Sequence, residues 1–205
     1  MVIWVRKGLD FLALCYAVLF FPAPIFWLII HPAIRFWRRC GSRSFWIAVP
    51  LWIASGTVLI ELRQKIFGHR LGQNALTMVL GAALVALAAW IGHRVLREFG
   101  LRRLAGIPEI NPASTSSGLV SRGIYSRLRH PRYLDYMLSF LGLALLTGAA
   151  GYFLLAFITI LLYLIVVPLE ERELREQYRA QYDAYVRTVP RFVPHFSRSP
   201  KAQWF

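Results

Sequence analysis

Five apolar runs, separated by short polar stretches rich in arginine, leave this chain few ways to fold: residues 8–30, 45–60, 75–92, 133–147 and 151–167. A helix rises ~1.5 Å per residue and a bilayer's hydrocarbon core is ~30 Å thick, so segments of this size read as membrane crossings. The 45–60 run is short and needs help from its flanks or a thinned bilayer. Pro22 and Pro24 should bend or break the first run near its end. A cleaved signal peptide is the rival reading of that run, but it is long and has no Ala-x-Ala exit, so it is expected to be retained. Between the last two runs, Gly148-Ala149-Ala150-Gly151 has the composition of a tight helix-to-helix turn. The fold class expected is therefore all-α, an integral membrane helical bundle of about five transmembrane helices, with a C-terminal helical hairpin and a cytoplasmic C-terminal helix.

Composition supports the bilayer and argues against nucleic acid. The chain is 57% hydrophobic and 15% aromatic, too apolar for an ordinary soluble domain of its size. Its net charge of +14 is concentrated between the apolar runs, the pattern of juxtamembrane anchoring to anionic lipid and not of a nucleic-acid face. Arg35, Arg38, Arg39 and Arg43, the arginines of 93–132, and the Arg-rich tail after Val167 should share the cytoplasmic side. Five crossings then place the N-terminus outside, with Arg6 and Lys7 arguing mildly the other way. We read the chain as a multi-pass protein of a prokaryotic inner membrane with its active site facing the cytoplasm. Cys15 and Cys40 lack metal-ligand spacing, and so do His69, His93 and His195; neither a disulfide framework nor a metal site is indicated.

Residues 1–92 hold the N-terminal transmembrane helices, expected to give an acceptor access, and 93–205 the catalytic region. Within the latter, the 98–132 segment contains Asn111-Pro112-Ala113-Ser114-Thr115-Ser116-Ser117-Gly118, a turn-rich loop over the cytoplasmic mouth. From Pro168 a helix is expected, with Glu170, Leu174, Tyr178, Tyr182 and Tyr185 along one face. Glu171 points more sideways there and can pair with Arg175, as Arg172 can with Glu176, each pair worth about 0.3–0.5 kcal/mol.

The chemistry-bearing residues flank the hairpin. His130-Pro131 sits beside Arg129, Arg132 and Tyr133, and proline suits the first turn of a helix whose free N–H groups attract anions. A helix cap whose arginines solvate phosphate headgroups is the plainer reading of the same residues. Glu170-Glu171 either balances charge on an arginine-dominated side or accepts hydrogen bonds from a ribose and attracts an ammonium or sulfonium group. The tyrosines after it are walls of a site or ordinary core. Asp10, an acid within the first run, is a functional candidate or snorkels to the interface. There is no Gly-x-Gly-x-x-Gly after a strand and no Gly-x-x-x-x-Gly-Lys-Ser/Thr.

Taken in order, Gly118 to Tyr133 with its Arg129-His130-Pro131-Arg132-Tyr133, then Glu170-Glu171-x-x-Leu174, Tyr178-x-x-x-Tyr182-x-x-Tyr185 and Val189-Pro190-Arg191-Phe192-Val193-Pro194, resemble the isoprenylcysteine carboxyl methyltransferases and related membrane phospholipid methyltransferases. The resemblance covers roughly the C-terminal half. It implies an integral membrane enzyme that moves a methyl group from S-adenosylmethionine to a lipophilic acceptor. It further implies that Arg129, His130, Pro131 and Tyr133 line the cofactor, Glu170 and Glu171 anchor its polar groups, and Tyr182, Tyr185 and Arg191 close the pocket, with backbone contacts near Tyr125. His130, Glu170 and Arg191 are the residues it puts nearest the reaction. Asp135 stands where such proteins often have glycine, and Tyr178-Arg179 where Phe-Gly is common, so bulk near the pocket differs.

A sulfonium-bound methyl is already electrophilic, and alignment and water exclusion are the main tasks. A carboxylate or thiolate acceptor needs little proton removal, whereas an amine or phenol needs a base, for which His130 or Glu170 could serve. Prenylcysteine-like carboxylates, lipid amines, isoprenoids and hydrophobic thiols all remain open as acceptors. The competing classes are a sterol-type NADPH reductase, for which the chain is short, and a non-enzymatic lipid-binding protein, which leaves the ordered motifs unexplained.

Overall fold

The computed structural model describes residues 2–104 and 118–194. The expected loop over the mouth, residues 111–117, and His195 lie outside them. Among the described residues the regular elements are all helical: α1 (Val2–Phe20), α2 (Pro22–Ile30), α3 (Ile34–Cys40), α4 (Ala48–Glu61), α5 (Arg63–Gly68), α6 (Ala75–Leu104), α7 (Pro131–Thr147), α8 (Ala150–Tyr178) and α9 (Ala180–Thr188). Short 3-10 turns join α2 to α3 and α3 to α4. The protein is a helical membrane bundle.

Three stretches are long and apolar enough to cross a membrane, 3–40, 75–98 and 150–178; α4, with 14 residues, and α7, with 17, are shorter. Pro22 and Pro24 interrupt the first stretch without reversing it, because Phe21 keeps helical dihedrals of −64° and −35°. Phe21 also still donates to the Ala17 carbonyl at 2.9 Å. The chain then runs back and forth between two polar ends. Gly148 adopts φ 61°, a left-handed cap that closes α7 through its N–H to Ala144 and lets α8 start at once. That is the tight turn the sequence predicts.

Helix packing uses small residues. A Cβ on Gly81 would come within 2.8 Å of the Gly142 carbonyl, and one on Gly142 within 2.8 Å of Val85, so only glycine lets α6 and α7 approach this closely. On α8, Leu154, Phe157, Leu161, Leu164 and Ile165 are exposed, an apolar stripe of the kind that meets lipid. Tyr163, Val166 and Val167, on the opposite side, are buried with Phe26, Trp27, Ile30 and Tyr133.

Two expectations change here. The helix beginning near Pro168 is the continuation of α8, a single 29-residue helix that carries proline inside it. The single face from Glu170 to Tyr185 is broken at Arg179, whose φ of 47° separates α8 from α9. Tyr182 and Tyr185 still pack near Leu174 and Tyr178, but from a second helix. Asp10 forms an ion pair with Arg70 at 3.0 Å, and Arg70 also donates to the Thr147 carbonyl, at the end of the bundle remote from His130.

Candidate active site

The other polar end is built on α8. Continuing through Pro168 carries Glu170, Glu171 and Glu173 beyond the apolar part of that helix while keeping them on a rigid element. Their partners come from three other places: the start of α7, the tail after α9, and the corner between α2 and α3.

Glu171 is the hub of one group. It is 4% exposed and accepts from Arg129 Nη2 at 3.0 Å and Nε at 3.2 Å, and from Arg191 Nη2 at 2.6 Å. His130 Nε2 lies 3.1 Å away. The remaining donors of Arg129 reach the Val186 and Val189 carbonyls. The tail is also sewn down by backbone, with the Arg129 N–H donating to Pro190 at 2.9 Å and the His130 N–H to Arg191 at 3.2 Å. The expected Glu171–Arg175 pair does not form, since Arg175 instead holds Asp183 at 2.9 Å, while Arg172–Glu176 does form, at 3.4 Å on the exposed side.

His130 sits between two carboxylates. Its Nδ1 is 3.4 Å from Glu170 Oε2 and its Nε2 faces Glu171. Burial alone would favour the neutral ring, but the Glu170 and Glu171 carboxylates outweigh it and hold the His130 pKa above its usual 6.5. Although His130 precedes α7, its side chain makes no capping bond. The plain cap reading therefore does not describe it. Its ring stacks on Tyr133, with centroids 5.8 Å apart and planes within 9°, and Phe192 covers it at 6.2 Å. Pro131 occupies the first turn of α7, as its geometry suits.

A cavity of about 40 Å³ lies at this junction, lined by Tyr125, Arg129, His130, Tyr133 and Glu170 together with Trp27, His31 and Arg132. Two buried atoms among its lining residues lack a close hydrogen-bond partner among the described residues: His31 Nε2, and Glu170 Oε2, which is ion-paired with His130 Nδ1 at 3.4 Å. A buried acceptor without a close partner costs ~1–3 kcal/mol, so the pair is a feature to be explained by what it holds. Tyr182 and Tyr185 do not line the cavity. Both are buried, which pushes their phenols up and keeps them protonated. Tyr185 donates to the Tyr125 carbonyl at 2.6 Å and so fixes the wall from behind.

The sequence reading missed His31, Glu173 and Trp27, and gave Arg132, which it named beside His130, no place in the pocket. His31 Nδ1 is 2.9 Å from Glu173 Oε2, and Arg38 donates to the other oxygen of that carboxylate. Trp27 stacks on His31 at 5.2 Å, and the Arg132 guanidinium lies 5.8 Å over the Trp27 ring. A second cavity, of about 440 Å³, opens on the other side of His31 between α3 and the end of α8. A visible signal existed: His31-Pro32 repeats the His130-Pro131 dipeptide at the end of another apolar run.

Comparison with known proteins places these elements. The sequence model described as phospholipid methyltransferase matches residues 76–181, just over half of the chain and inclusive of His130, Glu170 and Glu171. A methanethiol S-methyltransferase from Pseudomonas deceptionensis is 29% identical over 148 residues, covering 70% of this chain and 54% of that protein. The cobalt-zinc-cadmium resistance protein CzcN from Cupriavidus metallidurans is 32% identical over 142 residues, covering 63% of this chain and 65% of that protein. The matched region thus spans between about half and two thirds of the length of these relatives. No solved structure matches.

Proposed function

We propose that this chain, which belongs to the phospholipid methyltransferase family, transfers a methyl group from S-adenosylmethionine to a lipophilic acceptor in the membrane. The observation that carries the reading is Glu170: a carboxylate whose Oε2 is buried, is ion-paired with His130 at 3.4 Å, and belongs to the wall of a cavity that His130, Arg129 and Tyr133 share.

The polar set fits such a donor. Glu170 can accept hydrogen bonds from ribose hydroxyls or attract an ammonium or sulfonium group. The free N–H groups at the start of α7 suit a carboxylate. When bound, the donor supplies a methyl that is already electrophilic. The protein's part is then to align and to exclude water. Tyr133 and His130 offer a flat stacked wall, and Arg191 with Phe192 closes the tail over it.

The cavity of about 40 Å³ is far below the ~300–1,000 Å³ of ordinary ligand sites. Admitting a nucleoside therefore requires the tail to lift, and Arg191, half exposed in its pair with Glu171, is the contact that can open. The acceptor enters from lipid beside the N-terminal helices, its apolar part never leaving hydrocarbon. A hydrophobic thiol, a lipid amine, an isoprenoid and a prenylcysteine-like carboxylate are the acceptor classes that fit, and one relative is named for methylation of a thiol. The basic residues of 31–44 and of the tail share the end that carries the site, so we place it at the cytoplasmic face, near anionic lipid.

Binding of radiolabelled S-adenosylmethionine and of NADPH to the detergent-purified protein tests this. S-adenosylmethionine alone should bind. Glu170→Gln and His130→Ala should each abolish binding while circular dichroism stays helical; unchanged affinity in both variants overturns the assignment. Incubation with labelled donor and a native lipid extract, followed by mass spectrometry, then identifies the acceptor.

A further inference from the structure

We infer that His31, held by Glu173, is the general base of this site, and that the acceptor is a heteroatom acid that arrives protonated, such as a thiol, instead of a preformed carboxylate. The inference rests on the methyl-transfer reading above and deepens it.

The Glu173 carboxylate fixes the ring. It accepts from His31 Nδ1 at 2.9 Å, which puts a ring hydrogen on Nδ1, so that in the neutral ring the lone pair is on Nε2. That Nε2 is buried and has no partner. Stacking on Trp27, whose centroid lies 5.2 Å away with the planes 24° apart, prevents the ring from turning to find one. A buried histidine oriented by a carboxylate, with its other nitrogen open, is the arrangement that general-base chemistry needs.

Its position is equally particular. His31 lines both the 40 Å³ cavity, which it shares with His130 and Glu170, and the 440 Å³ cavity beside it. The larger space combines Ile34, Phe36 and Leu169 with the charged Arg35, Arg172 and Glu176 in its wall, room for an apolar body beside a polar rim. The smaller one admits a reacting head group and little more. His31 is common to the walls of both. His130 cannot take this role as well, because both its ring nitrogens already face carboxylates.

The step balances as follows. The proton on the acceptor heteroatom passes to His31 Nε2, and Glu173 neutralises the imidazolium. The acceptor's lone pair forms the new bond to the methyl carbon. The electron pair of the broken sulfur–carbon bond stays on the donor's sulfur, which becomes a neutral thioether, and His31 later returns its proton to water.

His31→Gln keeps an N–H for Glu173 but carries no base. In the purified full-length protein at saturating donor, methylation of a lipophilic alkyl thiol should fall about 100-fold or more. Methylation of a perfluorinated aryl thiol, ionised at the assay pH, should fall less than about threefold, because no proton remains to be removed. A readout without the donor is the thiolate absorbance of bound thiophenol at a pH below its solution pKa: wild type should raise it and His31→Gln should not. Added imidazole should restore part of the alkyl-thiol rate to His31→Ala, which guards against a loss that is only structural. Equal losses on both thiols, or no loss on either, would overturn the inference while leaving donor binding intact. Absence of donor binding in wild type would instead remove the methyl-transfer reading beneath it.

Discussion

The two His-Pro corners of this molecule share a dipeptide, a position at the end of an apolar helix and a facing carboxylate on α8, yet their chemistry differs. At His130 both ring nitrogens meet carboxylates, and Glu171 is further shared by Arg129 and Arg191. At His31 one nitrogen is satisfied by Glu173 and the other has no hydrogen-bond partner among the described residues. A saturated histidine is a fastener and a half-satisfied one is available. What a motif does here is set by how many partners the fold gives it, and that count comes from segments far away in the chain.

The greatest loss should come from breaking the saturated corner. Glu171→Gln leaves the Arg129 guanidinium and the His130 ring buried without their shared anion, and should lower unfolding free energy by about 3–5 kcal/mol. Glu173→Gln leaves one histidine and one partly exposed arginine, and should cost about 1–3 kcal/mol. Denaturant titration in detergent measures both. Equal losses would break the asymmetry between the corners.

A pH series sharpens it further. The His130 pKa is raised, so the stability its charged ring contributes is fully present below the usual value of 6.5 and is lost as pH rises through the higher folded value. The unfolding midpoint should therefore fall on the alkaline side of neutrality, and His130→Gln should remove most of that slope. The smallest effect belongs to Arg35→Ala, which removes an ion pair to Glu176 whose arginine is 86% exposed. Its cost should stay under about 0.5 kcal/mol, and a larger one would mean that the His31 corner is braced from outside.

Hydropathy marked where the helices run but not where they stop. The run expected to end at residue 92 continues as α6 to Leu104, because a helix can outlast its apolar stretch into arginine-rich sequence. The hairpin was legible since Gly148 carries its own turn signal. The break at Arg179 was not legible in composition, because the residue at φ 47° is not glycine; the one hint was that the resembled family commonly has glycine there. Placing His130 near Glu170 followed from folding the hairpin. Placing Glu171 inward did not, since on the helix alone Arg175 is its natural neighbour, and Arg129 lies 42 residues away. His31 escaped notice for a related reason: its partner Glu173 is 142 residues distant, and a lone histidine at a membrane boundary looks unremarkable without it.

The exposed stripe of Leu154, Phe157, Leu161, Leu164 and Ile165 also sets the units in which the acceptor proposed above is counted. A lipophilic acceptor dissolved in the same bilayer is confined to a sheet ~30 Å thick, so the quantity that governs encounter is its mole fraction among lipids and not its molarity in the buffer. At fixed protein and acceptor, adding empty vesicle lipid should therefore dilute the proposed reaction although the test-tube volume is unchanged.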